Sequence, residues 1–525
     1  MRVAFLPNLS NQNNPLLQDE SPFPRPRKGS RDENPRGAGR VPRWERAWVR
    51  VTNQIWKFRQ IAVILIIGLM FFSPQARAEA TFPIPVTTEV RTLKRLIDPI
   101  VIRMEKFLGF PGEKIGPLRL MAVRNGAWEV IPFQIDEVDK NGEYIFPIVY
   151  KNGSFRAAGA GEGQEIVSSR DELVFISRDL GDRAKRNQWP ANPGMEIEVR
   201  DPLEGGRGYA YLFHFPETPP LSPRDYVNIS PDGKLILTEE YVFGFTDPVH
   251  PAVFNLAAFF ARGASRNIEE SRRRNILDRL KIRATIRFLG GKIRMSWDET
   301  DPKSELIAYL DGPVRVIQKY RYWVDLVLGI PSPSIGRLVY SYPNRTVLPN
   351  DMYLPFNPDA FVTDGAISVA LDFTRQAVGS YLYNPILEKP VLIDGKMSPE
   401  EKMVSDFTIA LSEKLAPWVL FYNPEGAVLG RLLLSDKIWN EFHRLEPRGT
   451  FRYSFFYTDD AAASDDPGLE PGKFGEFGFQ GKGKADVQQG HYYASIIFFG
   501  KRGFTFGEQG EFLQVDDNPL EVTIR

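Results

Sequence analysis

Ile282-Arg283-Ala284-Thr285-Ile286-Arg287-Phe288 is followed by Gly290-Gly291 and then by Ile293-Arg294-Met295-Ser296-Trp297-Asp298. In both runs apolar residues alternate with polar ones, the period-2 pattern of a strand that turns one face to a core. Two such runs about a Gly-Gly turn predict a β-hairpin with one buried face. The same alternation recurs at 195–199, 208–215, 314–322, 451–457 and 491–499. A second hairpin is expected where 130–135 and 144–148 flank Asn141-Gly142, a dipeptide suited to a type I′ turn. Helical pattern is confined to 268–280 and to 399–415, where Met403, Phe407, Ile409, Ala410 and Leu411 fall on one face. The chain therefore reads as mainly β, with antiparallel sheets and few short helices.

Pro216, Pro219, Pro220 and Pro223 stiffen one connection, and a domain boundary is expected there. It divides the sequence into an N-terminal β domain over 79–220 and a larger β domain over 221–525, each read as a sandwich. Segment 459–489, rich in Asp, Gly and Lys, reads as a long loop. Uneven strand spacing argues against an outer-membrane barrel, and no fixed-period repeat suggests a propeller.

The first 78 residues read differently. Residues 1–50 lack apolar periodicity and have the composition of a disordered extension or of a start assigned too early. Within 51–78, Lys57 and Arg59 precede the uncharged run Ile61 to Phe72, and Ala76-Arg77-Ala78 follows. This is the layout of a signal peptide cleaved after Ala78. Twelve helical residues reach about 18 Å, short of a bilayer core of about 30 Å, so a permanent span is not expected. The expected location is periplasmic or secreted.

Residues 1–78 hold 13 of the 66 basic and 5 of the 66 acidic residues, so the remainder carries 53 against 61, a net charge of −8. Such a chain has no overall attraction for nucleic acid. Cysteine is absent, which removes thiol catalysis, disulfides, cysteine-ligated zinc and a lipidated N-terminal cysteine.

Candidate sites are few. Glu137, Asp139, Asn141 and Glu143 present oxygen ligands at alternate positions beside Gly142, the opening of a calcium loop. The position for its closing glutamate holds Ile148, and a polar hairpin tip explains the same residues. No other cofactor is indicated. Arg178 and Asp179 end a buried-strand pattern at 171–176 and could bind a hydroxylated or charged ligand, or simply pair with each other. The pairs Asp459-Asp460, Asp465-Asp466 and Asp516-Asp517 are loop acids by default. Tyr320 with Tyr322, Tyr340 with Tyr342 and Tyr381 with Tyr383 stand two apart, so each pair shares a strand face. Such faces either stack on sugar rings or pair across the sheet. The four histidines are scattered without metal-ligand spacing, and no nucleophile elbow occurs.

Pro132 to Glu137, Asp171 to Phe175 and Arg178-Asp179-Leu180-Gly181 resemble the N-terminal part of a family of exported bacterial β-proteins, a likeness that implies no activity. Asp311-Gly312-Pro313-Val314-Arg315 is similar to the Gly-Pro-Val-Arg start of a strand in galactose-mutarotase-like supersandwich proteins. That group includes polysaccharide lyases and other carbohydrate-active enzymes, and the likeness implies a supersandwich for the larger domain. A lyase needs a cation to neutralise a uronate and a base to take its α-proton; Arg315 with Tyr320 or Tyr322 is the candidate set. Three readings of function follow: an exported β-protein that binds a glycan or another envelope component; a carbohydrate-active enzyme, lyase or hydrolase; and an accessory subunit of an envelope assembly.

Overall fold

Alternation produced strands at nearly every stretch where it was clear. The structure, a computed structural model, describes residues 84, 87–151, 154–158, 165–217, 219–244, 256–258, 276–298, 301–324, 335–354, 362–406, 417–445, 451–460, 473–483 and 489–525. The signal-like segment 51–78, including Ala78, lies outside them, as do 268–275 and 407–415 of the expected helices. Among the described residues antiparallel strands dominate, and the α-helices are Pro399–Asp406, Asp436–Leu445 and Gln509–Asp517. None of them is long and apolar enough to cross a membrane.

Two sheets form a sandwich. The larger has eleven strands, in spatial order 391–392, 381–383, 418–423, 426–434, 490–502, 345–354, 335–341, 316–324, 302–311, 148–151 and 154–157. The smaller has five, in the order 293–297, 277–288, 362–373, 473–483 and 451–460. Leu371, Phe373, Phe455 and Phe477 from the smaller sheet share one core with Val419, Phe421, Val428 and Phe498 from the larger. The rings of Phe373 and Phe421 stack across it at 4.8 Å. Gly430 lets the two sheets approach here, since a Cβ there would stand 3.0 Å from Leu371 Cδ1.

The outer face of the large sheet is half covered. Helix Gln509–Asp517 lies on Leu420, Leu429, Ile497 and Phe499 through Phe512 and Val515. Its acidic end is held by ion pairs from Asp516 to Arg345 (3.0 Å) and from Asp517 to Arg431. Both acids are thus ion-paired at a helix end and not in a loop, although Asp517 stays half exposed.

A further five-stranded sheet runs 521–524, 194–200, 207–214, 118–124 and 127–130, over its own core of Leu118, Leu120, Ile197, Val199 and Leu212. Strand Glu521–Ile524 completes the sheet of strand Gly194–Arg200, and strand Ile148–Lys151 pairs with strand Pro302–Asp311. By contacts, Phe82–Arg525 is one compact unit.

Several expectations change at this scale. Residues 277–280 belong to a strand, not to a helix, because Leu277 and Leu280 face the sandwich core. Segment 459–489 is not one loop: Asp459 and Asp460 end strand Phe451–Asp460, and Lys473–Gly483 is a strand paired on both sides. Around Asn141 only Gly142 has positive φ (84°), so the turn is not type I′, which needs both central residues there. The flanking segments meet at a single bridge, Val138 to Tyr144. Strand Ile148–Lys151 then leaves to join the eleven-stranded sheet.

Candidate functional site

Three of the stretches singled out in the sequence converge in the interior. Gln134 and Asp136 come from one short strand, Glu172 from the neighbouring strand Glu172–Ile176, and Arg315 from the turn before strand Val316–Val324. Gln134 Oε1 accepts the backbone N–H groups of Val314 (3.0 Å) and Arg315 (2.9 Å), while its Nε2 donates to Asp136 Oδ1 at 2.7 Å. The Arg315 guanidinium reaches Asp136 and Glu172, both at 2.6 Å. Its Nη1 donates to Tyr342 Oη at 3.2 Å, and the rings of Tyr144 and Tyr340 lie beside it at 5.5 and 5.6 Å.

Burial opposes the charge of Arg315, but Asp136, Tyr342, Tyr144 and Glu172 hold its pKa well above the usual value. Burial likewise raises the Asp136 carboxyl, against the pull of Arg315. Arg315 is 2 % exposed. The group is a sealed ionic lock between the N-terminal strands and the large sheet.

This placement decides the lyase candidates. Arg315 meets Tyr144, Tyr340 and Tyr342, and Tyr320 and Tyr322 are not among its contacts. Tyr320 is buried in the sandwich core, its ring 5.8 Å from that of Tyr322. Tyr340 and Tyr342 are buried as well, so they do not form a wet sheet face.

Arg178 and Asp179 lie in the single 3-10 turn that follows strand Glu172–Ile176. Tyr226 Oη donates to Asp179 at 2.7 Å, and the Arg178 guanidinium stacks 3.8 Å above the Tyr226 ring. Arg124 and Arg224 stand 3.8 and 3.7 Å from the same carboxylate oxygen. Burial raises the Asp179 pKa, opposed by Tyr226 and by the arginines. The arrangement clamps Tyr226, just past the proline-rich connection, against the N-terminal sheet.

At the expected calcium loop, Asp139 turns inward and accepts the N–H groups of Asn141 (2.8 Å) and Glu143 (2.9 Å). Glu143 pairs with Lys319 at 2.9 Å. These contacts fit a polar turn. Among the described residues, no group of three or more histidines and carboxylates is arranged to hold a metal.

The accessible chemistry lies on the outer face of the large sheet. Tyr381 pairs with Tyr422 across neighbouring strands, and their rings stack at 5.5 Å. Phe506 folds back over Tyr422 at 5.5 Å and meets Tyr383 at 5.0 Å, while Trp418 lies 5.8 Å from Tyr383. The return of Phe506 depends on Gly503 (φ 65°) and Gly507 (φ 113°), which bracket it in backbone conformations that disfavour side chains. Tyr381 and Phe506 are 40 % and 44 % exposed. Five aromatic residues thus build a shelf near one edge of the sheet. Of these, the sequence pattern marked Tyr381 and Tyr383 alone. The alternation Trp418, Leu420, Tyr422 carried the same signal.

Further along the same face, strands Arg345–Leu354 and Gly490–Arg502 bring Asp351, Tyr353, His491 and Tyr493 together. His491 Nδ1 lies 3.0 Å from both Asp351 carboxylate oxygens, between the rings of Tyr353 (4.7 Å) and Tyr493 (6.0 Å). All four are accessible to solvent.

No family model and no curated protein matches the sequence. Among solved structures the chain is similar to an alpha-mannosidase from Enterococcus faecalis V583, with a TM-score of 0.39 and 9 % identity over 84 % of this chain. The chain spans 45 % of the length of that protein.

Proposed function

We propose that the chain is an exported β-sandwich protein that binds a glycan on the aromatic shelf of Tyr381, Tyr383, Trp418, Tyr422 and Phe506. The shelf carries the reading. Sugar rings present apolar C–H faces that stack on exposed aromatic rings, while Tyr hydroxyls meet the sugar hydroxyls. Export rests on Lys57, Arg59, the apolar run Ile61 to Phe72 and the small residues before Glu79. The compartment is periplasmic or extracellular.

Affinity electrophoresis of the purified protein through gels loaded with single polysaccharides tests this. At least one polymer should retard it, and Tyr381→Ala or Phe506→Ala should weaken binding by about 2- to 12-fold, the worth of one aromatic contact. Equal mobility in every polymer would sink the reading.

A second reading, a carbohydrate-active enzyme, is favoured by Asp351 and His491. A histidine oriented by a carboxylate and flanked by tyrosines has the groups needed for proton transfer. Uronate polysaccharides cleaved by a lyase gain absorbance at about 235 nm from the new double bond conjugated to the carboxylate. Growth of that band, lost in His491→Ala, would establish the reaction; its absence across the panel removes the lyase version.

A further inference from the structure

The turn after strand Glu172–Ile176 gathers more guanidinium donors than its acids accept. Asp179 is 1 % exposed, and its Oδ1 accepts the Tyr226 hydroxyl at 2.7 Å. Arg124 and Arg224 come only to 3.8 and 3.7 Å from that oxygen, beyond hydrogen-bond distance. Arg178 spends its guanidinium on the Tyr226 ring, 3.8 Å away, and Arg91 donates from Nε and Nη1 to backbone carbonyls. The carboxylates beside these four arginines are Asp179, Asp182 and Glu129, and among the described residues none of them accepts a guanidinium hydrogen bond there. Arg178 Nε and Nη2, Arg91 Nη2 and Asp179 Oδ2 are buried without a hydrogen-bond partner. A buried polar atom in that condition carries the cost of its lost hydration, so it marks where a polar group is expected.

Backbone bonds hold the group in place. Leu180 N–H closes the turn on Ser177 O at 3.2 Å, Arg91 Nη1 holds the Arg178 carbonyl at 3.0 Å, and Tyr226 N–H donates to Pro313 O at 2.9 Å. Solvent reaches the cluster from one side, through the Arg124 and Arg224 side chains, which are 28 % and 53 % exposed. Planar guanidinium forks match the oxygens of a carboxylate or a phosphate. Asp179 Oδ2 adds a second condition, because it accepts where its neighbours donate. The group that satisfies both carries anionic oxygens and a hydroxyl.

We propose that this cluster is a binding site for a small hydroxylated oxyanion. Arg124, Arg178 and Arg224 take the anionic oxygens, and a hydroxyl of the same ligand donates to Asp179 Oδ2. A sugar acid and monohydrogen phosphate both meet this description; acetate and sulfate lack the hydroxyl. The site shares no residue with the aromatic shelf, so either can fail without the other.

Calorimetric titration of the purified protein at low ionic strength with D-glucuronate, inorganic phosphate, acetate and sulfate tests it. D-Glucuronate or phosphate should bind saturably with Kd below about 1 mM, and whichever binds identifies the source of the oxyanion. Its hydroxyl-free counterpart, acetate for the sugar acid or sulfate for phosphate, should bind at least about tenfold more weakly. Arg124→Gln with Arg224→Gln should weaken binding by at least about tenfold while the near-ultraviolet circular dichroism of the fold is kept. Should that pair disturb the fold, Arg224→Gln alone, at the more exposed position, should still weaken binding. No saturable binding of either hydroxylated anion, equal affinity for the hydroxyl-free counterpart, or undiminished binding in the folded glutamine variant would each overturn the proposal.

Discussion

Arg315 stands 181 positions after Gln134 in the chain, yet its backbone N–H donates to Gln134 Oε1 at 2.9 Å. One side chain thereby fixes the turn that carries the sealed guanidinium, just before strand Val316–Val324. Arg315→Met should cost about 3–5 kcal/mol, because Asp136 and Glu172 would remain buried without their cation. Arg315→Lys should recover only part of the loss, since an ammonium lacks the planar fork that serves two carboxylates. Urea unfolding measures both, and a loss below about 1 kcal/mol for the methionine variant would refute the lock.

Gly312 makes the same contact possible from the other side. A Cβ there would stand 2.3 Å from Gln134 Oε1, and the hydrogen bonds of Gln134 prevent it from swinging away. Gly312→Ala should therefore destabilise by about 1–3 kcal/mol, the usual cost of overpacking. An unchanged urea midpoint would show that the glutamine yields.

Asp459 gives stability a pH dependence. It accepts the N–H groups of Asp394 (2.8 Å) and Gly395 (3.0 Å) at a buried position. Burial, with Glu401 and Asp394 adding repulsion, pushes its pKa up to about 6 from an ordinary 3.8. The folded state then holds the proton more tightly than the unfolded one. The resulting stabilisation is full below about pH 3.8 and is lost as pH rises through about 6. Asp311, raised to about 6 by burial and by Asp225, acts in the same sense. Unfolding free energy measured in steps across this window should fall less steeply in Asp459→Asn than in the parent. Identical slopes would count against it.

Strand Glu521–Ile524 closes the N-terminal sheet, and Glu196 and Arg525 exchange two backbone hydrogen bonds of 2.9 Å beside it. Truncation after Asn518 should speed hydrogen exchange at Glu196 and lower the melting temperature. It should also favour association through the bared edge of strand Gly194–Arg200. Unaltered exchange at that amide would mean the strand is dispensable.

The strands were legible because alternation is a local property, and 282–297 folded as the hairpin its pattern announces. What covers an apolar face is not local, so the same pattern misjudged the burial of Ile293 and Met295, both of which are exposed. Gln134, Glu172 and Arg315 each stood in a conspicuous stretch, yet nothing in their spacing says that three distant segments meet. Tyr340 and Tyr342 looked like Tyr381 and Tyr383 in sequence. Their strand lies in the middle of the large sheet, where the Arg315 lock claims them, while strand Tyr381–Tyr383 lies near an edge, where aromatic rings remain accessible. Phe506 was hidden because a turn, not a strand, presents it.

The placement of strand Glu521–Ile524 has a consequence in time. Its partner Arg200 precedes Glu521 by 321 positions. A ribosome or a translocon delivers the chain from its N-terminus, so strand Gly194–Arg200 waits with one flank open until the whole sandwich has been supplied. Contacts of such long range make for slow folding with exposed intermediates. The sheet receives its last strand only at the end, and a helper that shields that flank during synthesis would protect the edge of strand Gly194–Arg200.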